Sequence, residues 1–187
     1  MSGFYLLALV AIWLFAGKVI YRIWRRWKPV DLKRKIFHIT IGVVLFSLWL
    51  GGVFWEVAGK KMYWDAKVRE LCAKDGGVKV YETVTLPAEM FDKWGMANFY
   101  RPTQGENALG TDYLFKNETS FIRNDNPKIW RDQYQLVRRK DGKLLGEAVS
   151  YSRQGGDLPG PWHASSFGCP ADAGDASLVQ KIFITIK

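Results

Sequence analysis

The sequence predicts an α+β protein: a two-helix transmembrane hairpin followed by one compact domain with a mainly antiparallel sheet and about two helices. Three observations carry this. Two long apolar runs flank a basic stretch near the N-terminus. Later segments alternate apolar and polar residues at the period of strands. Between two of those segments stands Asp141-Gly142, a signal for a two-residue hairpin turn.

The first run, "GFYLLALVAIWLFAGKVIY", is uncharged from Gly3 to Gly17, and Lys18 lies one turn from its end, where a long stem can snorkel to the headgroups. The second run, Ile36 to Trp55, contains no acid, Lys or Arg over about the twenty residues a helix needs to cross the hydrocarbon core. A cleaved signal would begin with a positive segment and end at a small-residue site. "MSGFY" has no basic side chain, and the first run ends in a basic, Trp-rich stretch. The expected organisation is a first transmembrane helix over 1–21, a basic loop over 22–35, a second transmembrane helix over 36–57 and a soluble domain over 58–187.

The loop "RIWRRWKPVDLKRK" gathers Arg22, Arg25, Arg26, Lys28, Lys33, Arg34 and Lys35 around one acid, Asp31. Short loops rich in Lys and Arg stay on the cytoplasmic side. The N-terminus and everything after about residue 58 then lie outside, which in a bacterium is the periplasm across the inner membrane. The bilayer is the expected partner of the seven cations, each worth about 1 kcal/mol against anionic headgroups. Tyr21, Trp24 and Trp27 are expected at the inner interface, and Phe4, Tyr5, Trp49, Phe54 and Trp55 near the outer one.

The net charge of +9 is unevenly spread. Residues 1–59 carry eight bases and two acids, and residues 60–187 carry nineteen bases and sixteen acids, an excess of +6 against +3. Most of the basic character therefore belongs to the anchor, and with no zinc-finger spacing or RNA-binding aromatic signature, nucleic acid is not an expected partner. Ser47 and Gly51, and Gly52 and Gly59, are small pairs that would let helices approach closely, leaving a homo-oligomer or a larger membrane complex open.

The only two cysteines, Cys72 and Cys169, both follow the second span. In an oxidising compartment they are expected to form a disulfide, with two unpaired buried thiols as the alternative. His38 opens the second span and His163 lies in the domain, so on the expected topology the membrane separates them and no shared metal site arises. No Gly-rich phosphate loop occurs, so no cofactor is expected.

Within the soluble part, "EVAGKKMYWDAKVRELCAKDGG" places Tyr63 or Trp64, Val68, Leu71 and Cys72 at helical spacing, and Gly76-Gly77 ends the helix. "VKVYETVTL" reads as one strand and Ala88 to Trp94 as a short helix. Tyr100 to Asp112 is a polar loop. "DYLFKNETSFIR" and "KIWRDQYQLVRRKDGKLLGEAVSYSR" supply strands. Pairing Lys140 with Lys143 across the turn collects Tyr134, Leu136, Leu145, Val149 and Tyr151 on one face, against which both helices are expected to pack. Leu158 to Pro170 reads as a rigid loop pinned by Cys169 and by Trp162 on the sheet, and Ser177 to Lys187 as a turn of helix running into a last strand, Ile182 to Ile186.

Catalytic candidates cluster in that loop: Asp157, His163, Ser165, Ser166 and Cys169. Ser, His and Asp can act as nucleophile, base and orienter, and Cys169 with His163 is a second combination. No G-x-S-x-G elbow accompanies them, and a plain polar loop explains the same residues.

"KDGGVKVYETVTLPAEMFDKWG", "FYRPTQGENALG", "DGKLLGEAVSY" and "DLPGPWH" resemble segments of small uncharacterised membrane-anchored proteins of proteobacteria. The resemblance implies a bacterial envelope protein and carries no catalytic or binding residue. The functional expectation is a two-span inner-membrane protein displaying a periplasmic binding or assembly module. The alternatives are a membrane-tethered periplasmic hydrolase using the Asp157 to Cys169 loop, and a structural subunit of a membrane complex.

Overall fold

The computed structural model describes residues 2–26, 31–157 and 163–186. These fall into two compact units, one built from the N-terminal helices to residue 61 with 157 and 163–164, the other from 62–156 and 165–186.

In the first unit, α1 (Ser2–Arg26) and α2 (Leu32–Phe54) form an antiparallel pair. Both helices are long and apolar enough to cross a membrane, with mean hydropathy of 1.6 and 2.0 over the apolar stretches. Large apolar side chains such as Phe4, Phe15, Phe37 and Leu48 stand outward, at 59% exposure or more. Each helix holds a Trp of the other over a glycine. A Cβ on Gly17 would lie 3.2 Å from the Trp49 ring, and one on Gly42 only 2.6 Å from the Trp24 ring. Trp13 and Trp49 meet at 5.6 Å between ring centroids, and Trp24 stacks on His38 at 4.6 Å.

The helices extend further than expected, and the basic stretch is mostly helical rather than loop. Arg22, Arg25 and Arg26 end α1, while Lys33, Arg34 and Lys35 open α2; Lys28 and Trp27 lie outside the described residues. Arg25 and Arg26 suit the negative end of the α1 dipole, whereas the three cations on the first turn of α2 oppose its positive end. Trp49 and Trp24 are used for packing between the helices. Gly51 and Gly52 have open space beside them, and Gly59 is covered by the Trp55 ring of its own helix. After α2 a π-helical turn, Trp55–Gly59, leads into α3 (Lys60–Asp75).

The second unit is organised on a sheet of order β1 (Gly77–Val80), β5 (Leu144–Gln154), β4 (Lys128–Arg138), β3 (Tyr113–Arg123), with β6 (Ser166–Cys169) paired to the far end of β5. All these pairs are antiparallel. A separate parallel pair joins β2 (Val84–Leu86) to β7 (Phe183–Thr185), which follows α4 (Asp175–Ile182). The segment expected as one strand, 78–86, is thus split between two sheets. The helix expected over Ala88 to Trp94 is a single 3-10 turn, Ala88–Met90, because Asp92 accepts the backbone N–H groups of Trp94 and Met96 and holds the chain in a turn instead.

The sheet is covered on both faces, not one. Leu136 and Ala148 pack with Leu178, Val179 and Ile182 of α4, whereas Ile129, Val149 and Tyr151 pack with Val68 of α3. Ala148 and Val149 are neighbours on β5, so their side chains point to opposite faces. The cause is register. A two-residue turn would put Tyr134 opposite Val149; the hairpin instead closes through a four-residue loop, 139–142, with Arg138 N–H donating to Lys143 C=O, and an irregularity between Leu136 and Val137 adds the one-residue step that puts Tyr134 opposite Ala148. Only Gly142 in that loop has positive φ, at 69°, so Asp141 does not adopt the left-handed conformation the shorter turn requires.

Helix α4 sits close on the sheet at Gly146, where a Cβ would lie 2.9 Å from Ile182 Cδ1 and 2.8 Å from the backbone oxygen of Lys79. One of those neighbours is main chain and cannot yield. Gly146→Ala is expected to destabilise the domain by about 1–3 kcal/mol, read as a lower urea midpoint with unchanged slope.

Candidate functional site

The most highly connected side chains in the second unit lie where α3 meets β5, β6 and β4. Asp65, Val68, Cys72 and Asp75 follow one another at helical spacing and form one stripe of α3. Each is tied to the sheet. Asp65 Oδ1 accepts a hydrogen bond from Arg153 Nε at 2.5 Å, Val68 is fully buried, Cys72 is disulfide-bonded to Cys169 with Cα atoms 6.0 Å apart, and Asp75 Oδ1 accepts from the Tyr151 hydroxyl at 2.7 Å.

Arg153 is the one buried charged residue among those described, at 0% exposure. Its remaining N–H groups go to the carbonyl oxygen of Gly155 and to Ser165, whose Oγ lies 3.4 Å from both terminal nitrogens. Gly155 and Ser165 are themselves joined, Gly155 N–H donating to Ser165 C=O at 2.9 Å. A planar guanidinium with five donors suits this task, since it can satisfy a carboxylate and two backbone segments at once. The Tyr151 phenol is held above its ordinary pKa, first by burial and then by its bond to the Asp75 carboxylate, which Arg131 Nε also approaches at 3.6 Å. Arg69 lies over the Phe167 ring at 5.0 Å and Arg123 over Trp64 at 4.8 Å, closing the two ends of the layer.

The catalytic candidates are distributed as follows. Ser165 is engaged by Arg153. Cys169 is in the disulfide and has no thiol in this state, so the cysteine-nucleophile combination is not available to it. Ser166 is exposed on β6. In the other unit, Asp157 Oδ1 faces Lys61 Nζ at 3.8 Å, and His163 is exposed. Trp162 lies outside the described residues, as do the four residues 158–161 before it. The end of that segment is strand β6 rather than loop, because β5 runs long enough to offer it an edge. No group of three or more His, Cys, Asp or Glu is placed to hold a metal ion among the described residues.

A second feature lies in the helical hairpin. A groove of about 590 Å³ between α1 and α2 is lined by apolar side chains including Leu14, Ile39, Val43 and Phe46, with Lys18 and Tyr21 on its border. His38 is covered by the Trp24 ring, and its Nε2 and the Trp24 Nε1 are buried without a hydrogen-bond partner among the described residues.

Sequence reasoning missed Asp65, Asp75 and Arg153. The signal was present: both acids share the helical phase of Val68 and Cys72, and Arg153 alternates in phase with Tyr151 and Val149 on β5. No protein-family model, curated protein or solved structure matches this chain.

Proposed function

We propose that this chain is a two-span inner-membrane protein that displays a binding or assembly module of the cell envelope on the periplasmic side. The observation that carries the reading is the Cys72–Cys169 disulfide in the unit that follows a basic-ended hairpin of two apolar helices. Two independent rules agree on the side. Arg22, Arg25, Arg26, Lys33, Arg34 and Lys35 favour a cytoplasmic turn by the positive-inside rule, which sends the following domain outward. A stable disulfide favours the same oxidising compartment. The same cations, with Lys28, would contact anionic headgroups of the inner leaflet.

A module is favoured over an enzyme because the residues with the most connections tie one structural layer to another, and Cys169 is committed to a bridge. The test combines a reporter active only outside the cytoplasm, fused after Lys187, with alkylation of thiols in the native protein. An active reporter and thiols that react only after reduction are the expected result. An inactive reporter with two reactive thiols would overturn the orientation and return the search for partners to the cytoplasm.

A further inference from the structure

We propose that the outer edge of β3 docks a second copy of this chain, strand to strand, about a two-fold axis through Asn117. Strand β3 ends the order β1-β5-β4-β3, so only one of its edges is bonded within the sheet. Arg139 N–H donates to Asp112 C=O, and Tyr113 lies opposite Arg138. Hydrogen-bonded pairs with β4 therefore fall on the even-numbered residues of β3, and the N–H and C=O groups of Phe115, Asn117, Thr119 and Phe121 point to the outer edge. The carbonyl of Tyr113 is taken by Arg139 Nε at 3.1 Å, so the open edge begins at Phe115. From Lys116 to Ile122 every side chain is exposed, on both faces of the strand.

An edge of this length is a template for pairing unless it is blunted, and natural edges are blunted with charge, proline or bulges. There is no proline in β3, and its register irregularity falls only at the end, between Phe121 and Arg123. Before the irregularity the charges are Lys116 and Glu118, opposite in sign and two residues apart. Antiparallel pairing about Asn117 sets Lys116 opposite Glu118 of the second copy, and Glu118 opposite its Lys116. Centring on Glu118 would set Glu against Glu, and centring on Thr119 would set both charges against Ile122 and Ser120. The charges thus repel a slipped strand and attract this one register, while the outward groups of Phe115, Asn117 and Thr119 complete the ladder. Confinement of both copies to one bilayer raises their effective concentration. The inference rests on the membrane anchoring proposed above but not on its orientation; an inactive topology reporter beside an intact dimer would separate the two.

The test uses the full chain in native membranes under a mild oxidant. In Asn117→Cys the two new thiols would face each other across a hydrogen-bonded pair with Cα atoms about 5.5 Å apart, inside the range a disulfide spans. In Ser120→Cys they would be about 20 Å apart along the strands. The expected result is a cross-linked dimer for N117C and little for S120C. Adding Lys116→Glu should cut the cross-linking rate by about fivefold or more, and adding Glu118→Lys to that should restore it, because the opposite pairs return in reversed order. All these positions are exposed, and an unchanged thermal midpoint confirms that each variant folds. Equal cross-linking at 117 and 120, capture of an unlike protein at 117 without a homodimer, or no restoration by the charge swap would each overturn the proposal.

Discussion

Reducing the Cys72–Cys169 disulfide lowers the unfolding free energy of the domain by about 4–5 kcal/mol, the chain-entropy value for a loop of this length. The bridge spans 97 residues, from the fourth turn of α3 to the end of β6, and so ties the first element of the domain to one of its last. Val68, Trp64, Leu71 and Phe167 pack together around the bridge, so the native contacts are expected to survive its reduction. The effect is therefore on the unfolded chain, and urea unfolding with and without reductant reads it as a drop in midpoint. Cys72→Ser with Cys169→Ser is expected to behave like the reduced protein. A loss under about 1 kcal/mol would show that the loop-closure entropy is offset and does not stabilise this domain.

Asp65→Ala is expected to cost about 3–5 kcal/mol, the penalty for leaving a buried charge without its partner. Arg153 has no exposed surface, and Gly155 and Ser165 supply only neutral oxygens to it. Replacing both partners, as in Asp65→Leu with Arg153→Met, removes the charge as well as the bond and is expected to recover at least half of that loss. The pair then shows coupling in a double-mutant cycle. The measurement is again urea unfolding, run on wild type, both singles and the double. Additive losses would show that Asp65 and Arg153 stabilise the fold independently and that the buried guanidinium is neutralised elsewhere.

The α+β class, the two apolar helices, the helical stripe on α3, the disulfide and the long central hairpin were legible from local pattern. Each depends on residues close in sequence or on a pair with no competitor, as with the two cysteines. The faces of β5 were not legible, because they hang on a bulge in the ladder. Asp141-Gly142 signals a tight turn, but the carboxylate of Asp141 bonds Lys143 N–H and Arg138 in a four-residue loop; that change of two residues keeps the faces, and the irregularity between Leu136 and Val137 then moves the register by one. With a side-chain period of two, that step sends Val149 and Tyr151 to the α3 face and turns one covered side into two. The Asp65–Arg153 pair was hidden for a related reason. An acid on a helix reads as solvated until a partner 88 residues away is known to face it, and that placement depends on the same register.

The bonds that fasten α3 all reach far ahead along the chain: 76 residues to Tyr151, 88 to Arg153 and 97 to Cys169. Time enters here. At the usual elongation rate of about 5–20 residues per second, Cys72 emerges from the ribosome on the order of 5–20 s before its partner exists. Until β5 has been made, α3 has a thiol, two carboxylates and an apolar stripe but no complete sheet to receive them. On the periplasmic orientation proposed above, an oxidising enzyme would meet Cys72 first as a lone thiol and hold it as a mixed disulfide. Maturation of the domain would then wait for Cys169, and a chain truncated before it would persist in that captured form.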